Sequence, residues 1–160
     1  MATRADIDLG LLLSRAAHGL KAELTAGLTE VGISPRAHCV LSKAMDGELT
    51  QSQLAGLCSL DKTTMVVTID ELEKAGLAER RLSSTDRRAR IIWVSPAGEQ
   101  MVARGREIVS RIYDDVLGAL PAGEREMFVD ALTRLVGGRL AEPVRCETPV
   151  RRPRVSSMVS

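Results

Sequence analysis

Aromatic side chains are scarce in this sequence, which contains one Trp, one Tyr and one Phe among 160 residues. A pocket lined by several stacked aromatic rings therefore cannot be built from one chain. Long apolar runs are missing too, since none approaches the roughly 18 residues that a membrane-spanning helix needs. The N-terminus, MATRADIDLG, lacks the charged and then apolar pattern of a signal peptide. We therefore expect a cytoplasmic protein.

The sequence also lacks the residue spacings that usually mark enzymes and metal sites. It has no glycine-rich phosphate loop and no G-x-S-x-G motif, and neither C-x-x-C nor H-x-x-x-H occurs. The three cysteines, Cys39, Cys58 and Cys146, are odd in number and widely spaced, which argues against a disulfide framework. We therefore predict reduced thiols, no metal, no cofactor and no enzymatic activity.

Positive and negative side chains nearly balance over the whole chain, but one part of it has an excess of positive ones. The formal net charge is +1. Between Leu77 and Ser95, however, positive side chains outnumber negative ones by three, because Arg80, Arg81, Arg87, Arg88 and Arg90 stand against Glu79 and Asp86. Any contact with nucleic acid must therefore depend on this local asymmetry.

Apolar spacing and cap residues predict a mainly helical fold. From Asp6 to Leu28 apolar residues recur every three or four positions, which predicts a long amphipathic helix whose leucine stripe needs cover from the rest of the fold or from a second subunit. Pro121 interrupts a later helical region. Four further helix starts carry an N-cap residue, with proline following it in two cases: Ser34-Pro35, Thr50, Asp61 and Ser95-Pro96.

The helix that begins after Asp61 has an unusual outward face. At about 100° per residue, Met65, Ile69 and Leu72 share the inward side. The opposite side is short, uncharged and mostly hydroxylated near the N-terminus, whereas a solvated face more often carries Glu, Lys and Arg. That side carries Thr63, Thr64 and Val67, followed towards the C-terminus by Glu71 and Lys74, with Thr68 at its edge.

A β-hairpin is predicted to follow this helix at once. Leu77 to Leu82 and Arg90 to Val94 have strand composition, and a turn-rich segment separates them. Two short helices joined by a tight turn and followed by a hairpin form a winged helix-turn-helix. The major groove of B-form DNA accepts a helix of this kind, while a narrow minor groove attracts arginine. The predicted DNA contacts are Lys62, Thr63, Thr64, Val67, Thr68, Arg87, Arg88 and Arg90.

Residues from Asp61 to Gly98 resemble the MarR family of bacterial transcription regulators. The sequence has L-E-K-A-G-L, then D-R-R with Asp86 and Arg88 in the family's D-x-R positions, and V-S-P-A-G in place of L-T-x-x-G. The resemblance implies a homodimer on a pseudo-palindromic operator, and usually a repressor relieved by a small molecule. It also favours Ile92 and Val94 as the inward side of the second strand. Asp86 is expected to orient a wing arginine.

The resemblance and, for the C-terminal part, the composition of the sequence divide the chain into three parts. We expect a helical dimerisation region at 6–32 and 96–138, a winged helix-turn-helix DNA-binding domain at 34–95, and a mobile basic tail at 139–160. In this family a small molecule usually binds between the first, second and fifth helices. Candidate polar groups for an anionic aromatic ligand there are Arg15, His18 and His38.

Two alternatives remain open at this stage. The same fold could serve as a protein-interaction module that does not touch DNA, for which Asp70 and Glu71 on the helix are the only hint. Cysteine oxidation could instead be the regulatory switch, if Cys39 or Cys58 has an exposed thiol with a lowered pKa. The simpler interpretation is that these cysteines fill space as small hydrophobic residues.

Overall fold

A computed structural model describes residues 7–142 as six helices and one β-hairpin. The helices are α1 (Leu9–Thr29), α2 (Pro35–Ala44), α3 (Gln51–Leu57), α4 (Lys62–Lys74), α5 (Pro96–Gly118) and α6 (Ala122–Gly137). The strands β1 (Ala78–Leu82) and β2 (Arg90–Val94) pair antiparallel, with Ala78 opposite Val94 and Leu82 opposite Arg90. The mainly α fold with a small β-hairpin wing is therefore confirmed.

The predicted N-cap residues begin their helices. Ser34, Thr50, Asp61 and Ser95 each accept a backbone hydrogen bond from the residue three positions later. Each bond satisfies one of the amide groups that a helix N-terminus leaves without a partner. At Thr50 the capping box is complete, because the Gln53 side chain accepts in return from the Thr50 amide.

The chain forms two compact units, one ending at Ala119 and the other beginning at Leu120. The core of the first unit lies where α2, α4, β2 and α5 meet. Val40, Leu41, Met65 and Ile69 are fully buried there. In the second unit, every residue of α6 is exposed, including Met127 and Phe128.

The side chains of α4 and β2 that face the core include those predicted from the sequence. Met65, Ile69 and Leu72 are buried, as their spacing predicted. Ile92 and Val94 are buried as well. Ile91, on the other face of β2, is also buried, and its backbone forms a β-bridge with Thr50.

Residues 143–160 lie outside the described part of the chain, and with them Cys146 and most of the predicted tail. Within residues 7–142, no helix is both long enough and apolar enough to cross a membrane. The functional division at 6–32, 34–95 and 96–138 stays a prediction.

Candidate nucleic-acid interface

Asp61 is the N-cap residue of α4. Its carboxylate accepts from the Thr64 amide at 2.9 Å and from the Thr64 hydroxyl at 2.6 Å. The hydroxyl bond and then the amide bond keep the pKa of Asp61 below its usual value, so the cap stays ionised. Thr64 is half-buried, and its hydroxyl proton is already donated to Asp61.

The remaining predicted contact residues of α4 fall into two groups. Lys62, Thr63 and Val67 are exposed, as a DNA-facing surface requires, and Val66 beside them is exposed too. Thr68 is different, because its relative exposure is 0% and its hydroxyl donates to the Thr64 carbonyl at 2.7 Å. The prediction that Thr68 contacts DNA is therefore wrong.

The wing, comprising β1, β2 and the loop 83–89 between them, is fastened to the segment before α3. The carboxylate of Glu48 accepts from the Ser83 hydroxyl at 2.6 Å and from both the amide and the hydroxyl of Ser84. The Ser83 hydroxyl and then the Ser84 groups hold the pKa of Glu48 below its usual value. Glu48 is thus a positioning residue of the wing that sequence reasoning missed. Its partners lie 35 and 36 residues away.

Asp86 shapes the tip of the wing through the backbone. Its carboxylate accepts from the Arg88 amide at 2.9 Å, and its carbonyl accepts from the Ala89 amide at 3.0 Å. These bonds close a turn that projects the neighbouring side chains. The structure therefore gives Asp86 an orienting contact with the main chain of Arg88 rather than with a guanidinium group.

The five arginines of the hairpin region separate into paired and unpaired ones. Arg80 forms ion pairs with Glu73 and with Asp70, the latter at 2.7 Å, and so ties β1 to α4. Arg81 pairs with Glu79 and stacks on Trp93, 3.4 Å from the ring centroid. The other three hairpin arginines, Arg87, Arg88 and Arg90, are predicted contacts; they are exposed and form no ion pair within residues 7–142.

A separate pocket lies between α1, α2 and α5. It has a volume of about 380 Å³, and its wall includes Leu24, Leu28, His38, Lys43 and Arg106. Of the three predicted ligand contacts, only His38 lines it. His18 borders a different depression, which is lined by residues of α1 alone. Arg15 is exposed on the same helix, nearer its N-terminus. The structure therefore does not bring the three residues into one site.

His38 is buried against Gly105, whose missing side chain makes room for the imidazole. A Cβ atom at Gly105 would come within 2.3 Å of His38 Cδ2. Burial lowers the pKa of His38, the hydrogen bond with the Val102 backbone opposes this shift, and the charge of Arg106 adds to it. The Nε2 atom has no hydrogen-bond partner within the described residues. His38 is therefore a neutral imidazole with one unused polar atom.

A helix-turn-helix followed at once by an arginine-tipped hairpin defines the winged helix-turn-helix class of proteins. Residues 31–89 match the model of the MarR family. The structure is similar to that of CouR from Rhodococcus jostii RHA1 bound to p-coumaroyl-CoA, with a TM-score of 0.75 and 25% identity over 91% of this chain and 100% of that one. The chain belongs to the MarR family.

Two further proteins are similar to this one. CouR bound to a 23-mer DNA duplex gives a TM-score of 0.73 and 25% identity, covering 80% of this chain and 92% of that one. A protein of Thauera aromatica, named as the candidate transcriptional regulator of the hcr operon, is 33% identical over 108 residues. This match covers 67% of the chain and 65% of the length of the Thauera protein.

Proposed function

We propose that the protein is a sequence-specific DNA-binding regulator of transcription that acts as a homodimer. The observation that carries this proposal is the set of exposed wing arginines, Arg87, Arg88 and Arg90, which have no acidic partner among residues 7–142. Arg80 fixes the wing to α4, so the arginines are presented together with the exposed start of that helix. Helix and wing are then able to contact neighbouring grooves of one duplex.

The contacts divide into those that position the protein and those that read sequence. Lys62 and Thr63 stand at the N-terminus of α4, where side chains and free amide groups meet phosphate. Val66 and Val67 present methyl groups, which suit the methyl group of thymine in the major groove. Arg88, at the tip of the wing, would enter the minor groove, whose negative potential attracts arginine.

Exposed apolar residues support a dimer. The first half of α1 exposes Leu9, Leu11 and Leu12, and α6 exposes Met127 and Phe128. Solvent contact of so many large apolar side chains is unfavourable, whereas a second copy that covers them removes their surface from water. A two-fold dimer would read a pseudo-palindromic operator.

The pocket between α1, α2 and α5 supports regulation by a small molecule. Lys43 and Arg106 give its wall positive charge, while Leu24 and Leu28 give it apolar surface. This combination suits a ligand with an anionic group on an apolar body. We propose that the protein is a repressor that releases DNA when such an effector binds. The similar repressor CouR supports this proposal, because its structure is known both with p-coumaroyl-CoA and with DNA.

The direct experiment is selection of genomic DNA fragments from the source organism by the purified full-length chain. We expect recovery of a small set of fragments that share a two-fold symmetric sequence. Uniform recovery of all fragments would contradict sequence-specific binding. Recovery of none would favour the protein-interaction module, for which the exposed Val66, Val67 and Leu57 would form the contact surface.

Arg88→Ala tests the wing. Removing one guanidinium from a phosphate-rich groove should weaken binding to the selected fragment and reduce the salt slope of the affinity by about 1. Fluorescence anisotropy over a series of salt concentrations measures both. The matched control is Arg104→Ala, an exposed arginine of α5 outside the wing, which should leave the slope unchanged. Equal slopes for Arg88→Ala and the unmodified protein would refute the assignment.

A further inference from the structure

Two cysteines that are distant in sequence meet in the folded chain. Cys39 lies within α2 and Cys58 is the C-cap residue of α3, yet their Sγ atoms are 3.5 Å apart. Both side chains are half-buried, so a small solute can reach them. No group of three potential metal ligands occurs among residues 7–142, so the pair lacks the further protein ligands of a closed metal site.

We propose that Cys39 and Cys58 form an oxidisable dithiol that a hydroperoxide converts into a disulfide within one chain. The bond would replace a sulfur contact of 3.5 Å by a covalent distance of about 2.05 Å, so the two sulfur atoms must approach by about 1.5 Å. Rotation of the two side chains and a small movement of the end of α3 supply this approach.

The reaction proceeds in two balanced steps. The thiolate of Cys39 attacks the O–O bond of the hydroperoxide, which forms a sulfenic acid on Cys39 and releases an alcohol, or water if the oxidant is hydrogen peroxide. The sulfur of Cys58 then attacks the sulfur of Cys39. The S–S bond forms, the S–O bond breaks, and the leaving hydroxide departs as water with the proton of Cys58. Two thiols lose two electrons and two protons, and the hydroperoxide gains them.

Position and acidity assign the two roles. Cys39 lines the pocket between α1, α2 and α5, and an oxidant entering this pocket meets its sulfur. Burial, and secondarily the hydrogen bond and charge of Cys39, raise the pKa of Cys58 to about 12. Cys58 is therefore a thiol at neutral pH and a poor first nucleophile. It becomes reactive only towards the electrophilic sulfur that oxidation creates beside it.

The disulfide would also affect DNA binding, and this part of the inference rests on the proposed function. Since α3 packs against α4, a displacement at the end of α3 is passed to the helix that carries Thr63 and Val67. Side chains that read base edges depend on hydrogen-bond and methyl contacts with defined geometry, which such a displacement disturbs. Oxidation should therefore weaken binding to the selected fragment.

The test uses the full chain with Cys146→Ser, which leaves only Cys39 and Cys58. Before and after hydrogen peroxide, free thiols are counted under denaturing conditions and the peptides are mapped without reductant. We expect two thiols before treatment, none after it, and a peptide linking Cys39 to Cys58 within a single chain. Persistence of both thiols, or a link between two chains, would overturn the proposal.

Single variants in the same background separate the roles. Cys58→Ser should stop at the Cys39 sulfenic acid, which dimedone traps. Cys39→Ser should keep its one thiol, because Cys58 does not react first. Trapping of Cys58 in the Cys39→Ser variant would reverse the assignment of roles and overturn it.

A final comparison uses the fragment selected by the reduced protein. We expect at least a tenfold loss of affinity on oxidation, recovered with dithiothreitol and absent from the double variant Cys39→Ser/Cys58→Ser. A disulfide that forms without changing affinity would overturn the regulatory part alone. Failure of the reduced protein to bind any fragment would refute the proposed function instead, while the thiol count still decides the disulfide.

Discussion

Thr63 and Thr68 show how far a helical period can assign single residues. Both are threonines on the outward half of α4 by spacing, yet Thr63 is exposed and Thr68 is fully buried. The sequence placed Thr68 at the edge of the face, and at such an edge neighbouring elements decide burial. The hydroxyl of a buried threonine can be satisfied by the carbonyl four residues earlier, so its polarity does not reveal its exposure.

His38 makes the stability of the fold depend on pH. Burial holds its pKa in the folded state below the ordinary value of 6.5, so the unfolded chain takes up this proton at a higher pH than the folded chain does. The contribution is complete above pH 6.5 and is lost as the pH falls through 6.5 towards the lower folded pKa. We expect the free energy of unfolding, measured in urea at constant protein concentration, to fall across this window.

The second histidine of the chain provides the control. His38→Gln should remove most of the decrease in unfolding free energy below pH 6.5. His18→Gln, at an exposed position of α1, should retain the decrease of the unmodified protein. If both variants behave alike, another group is responsible for the pH dependence.

At the scale of elements, the sequence was informative where the signals are local. Caps such as Ser34 and Asp61 act on amide groups three residues away, so their effect can be predicted from a short window. Contacts such as those of Glu48 with the wing and of Arg80 with Asp70 join residues from different elements. No period or cap motif encodes these contacts, and only the fold brings them together.

Glu48→Ala tests how the wing is held. Loss of the carboxylate frees the Ser83 hydroxyl and the Ser84 amide and hydroxyl, so the loop should become more mobile and its arginines less well placed. We expect several-fold weaker binding to the selected fragment with the salt slope unchanged, because no positive charge is lost. Glu107→Ala, an exposed glutamate of α5, serves as the control. A reduced salt slope would point to a different role for Glu48.

Gly98 couples the start of α5 to the hairpin. A Cβ atom there would lie 2.1 Å from the Leu77 carbonyl oxygen, a backbone atom that cannot move aside cheaply. The Ser95 hydroxyl accepts from the Gly98 amide and donates to the Gly76 carbonyl, so the backbones are held in close contact. This close contact between the two backbones is a physical reason why the V-S-P-A-G sequence ends with a glycine at position 98.

Gly98→Ala should therefore destabilise the fold by about 1–3 kcal/mol, the range for an overpacked site. Gly56→Ala, in α3, is the control because a Cβ atom there meets nothing within 4 Å, and it should be neutral or slightly stabilising. Thermal and urea denaturation compare the two. Equal stability of both variants would show that the α5–hairpin junction relaxes.

At the scale of the whole molecule, the exposed leucines of α1 predict an oligomer. Sedimentation equilibrium should give twice the chain mass of 17.3 kDa. Leu12→Glu should raise the dissociation constant of the dimer at least about tenfold, because a buried leucine contributes roughly 1.5–3 kcal/mol and each 1.4 kcal/mol is a factor of ten.

Leu57→Glu is the matched control for this change. Leu57 is 56% exposed on α3, compared with 58% for Leu12, so both substitutions alter a similar free surface. The control should leave the dimer intact. Dissociation caused equally by both variants would indicate a general loss of stability, and an unchanged dimer in Leu12→Glu would place the subunit contact elsewhere.

The position of Trp93 has a practical consequence. It is the only indole in the chain, and it lies on β2 under the guanidinium of Arg81. Intrinsic tryptophan fluorescence therefore comes from the wing alone, without a label. When tryptophan alone is excited, a change in its emission or in its quenching by iodide during a titration reports on the hairpin. The rest of the molecule does not contribute to this fluorescence.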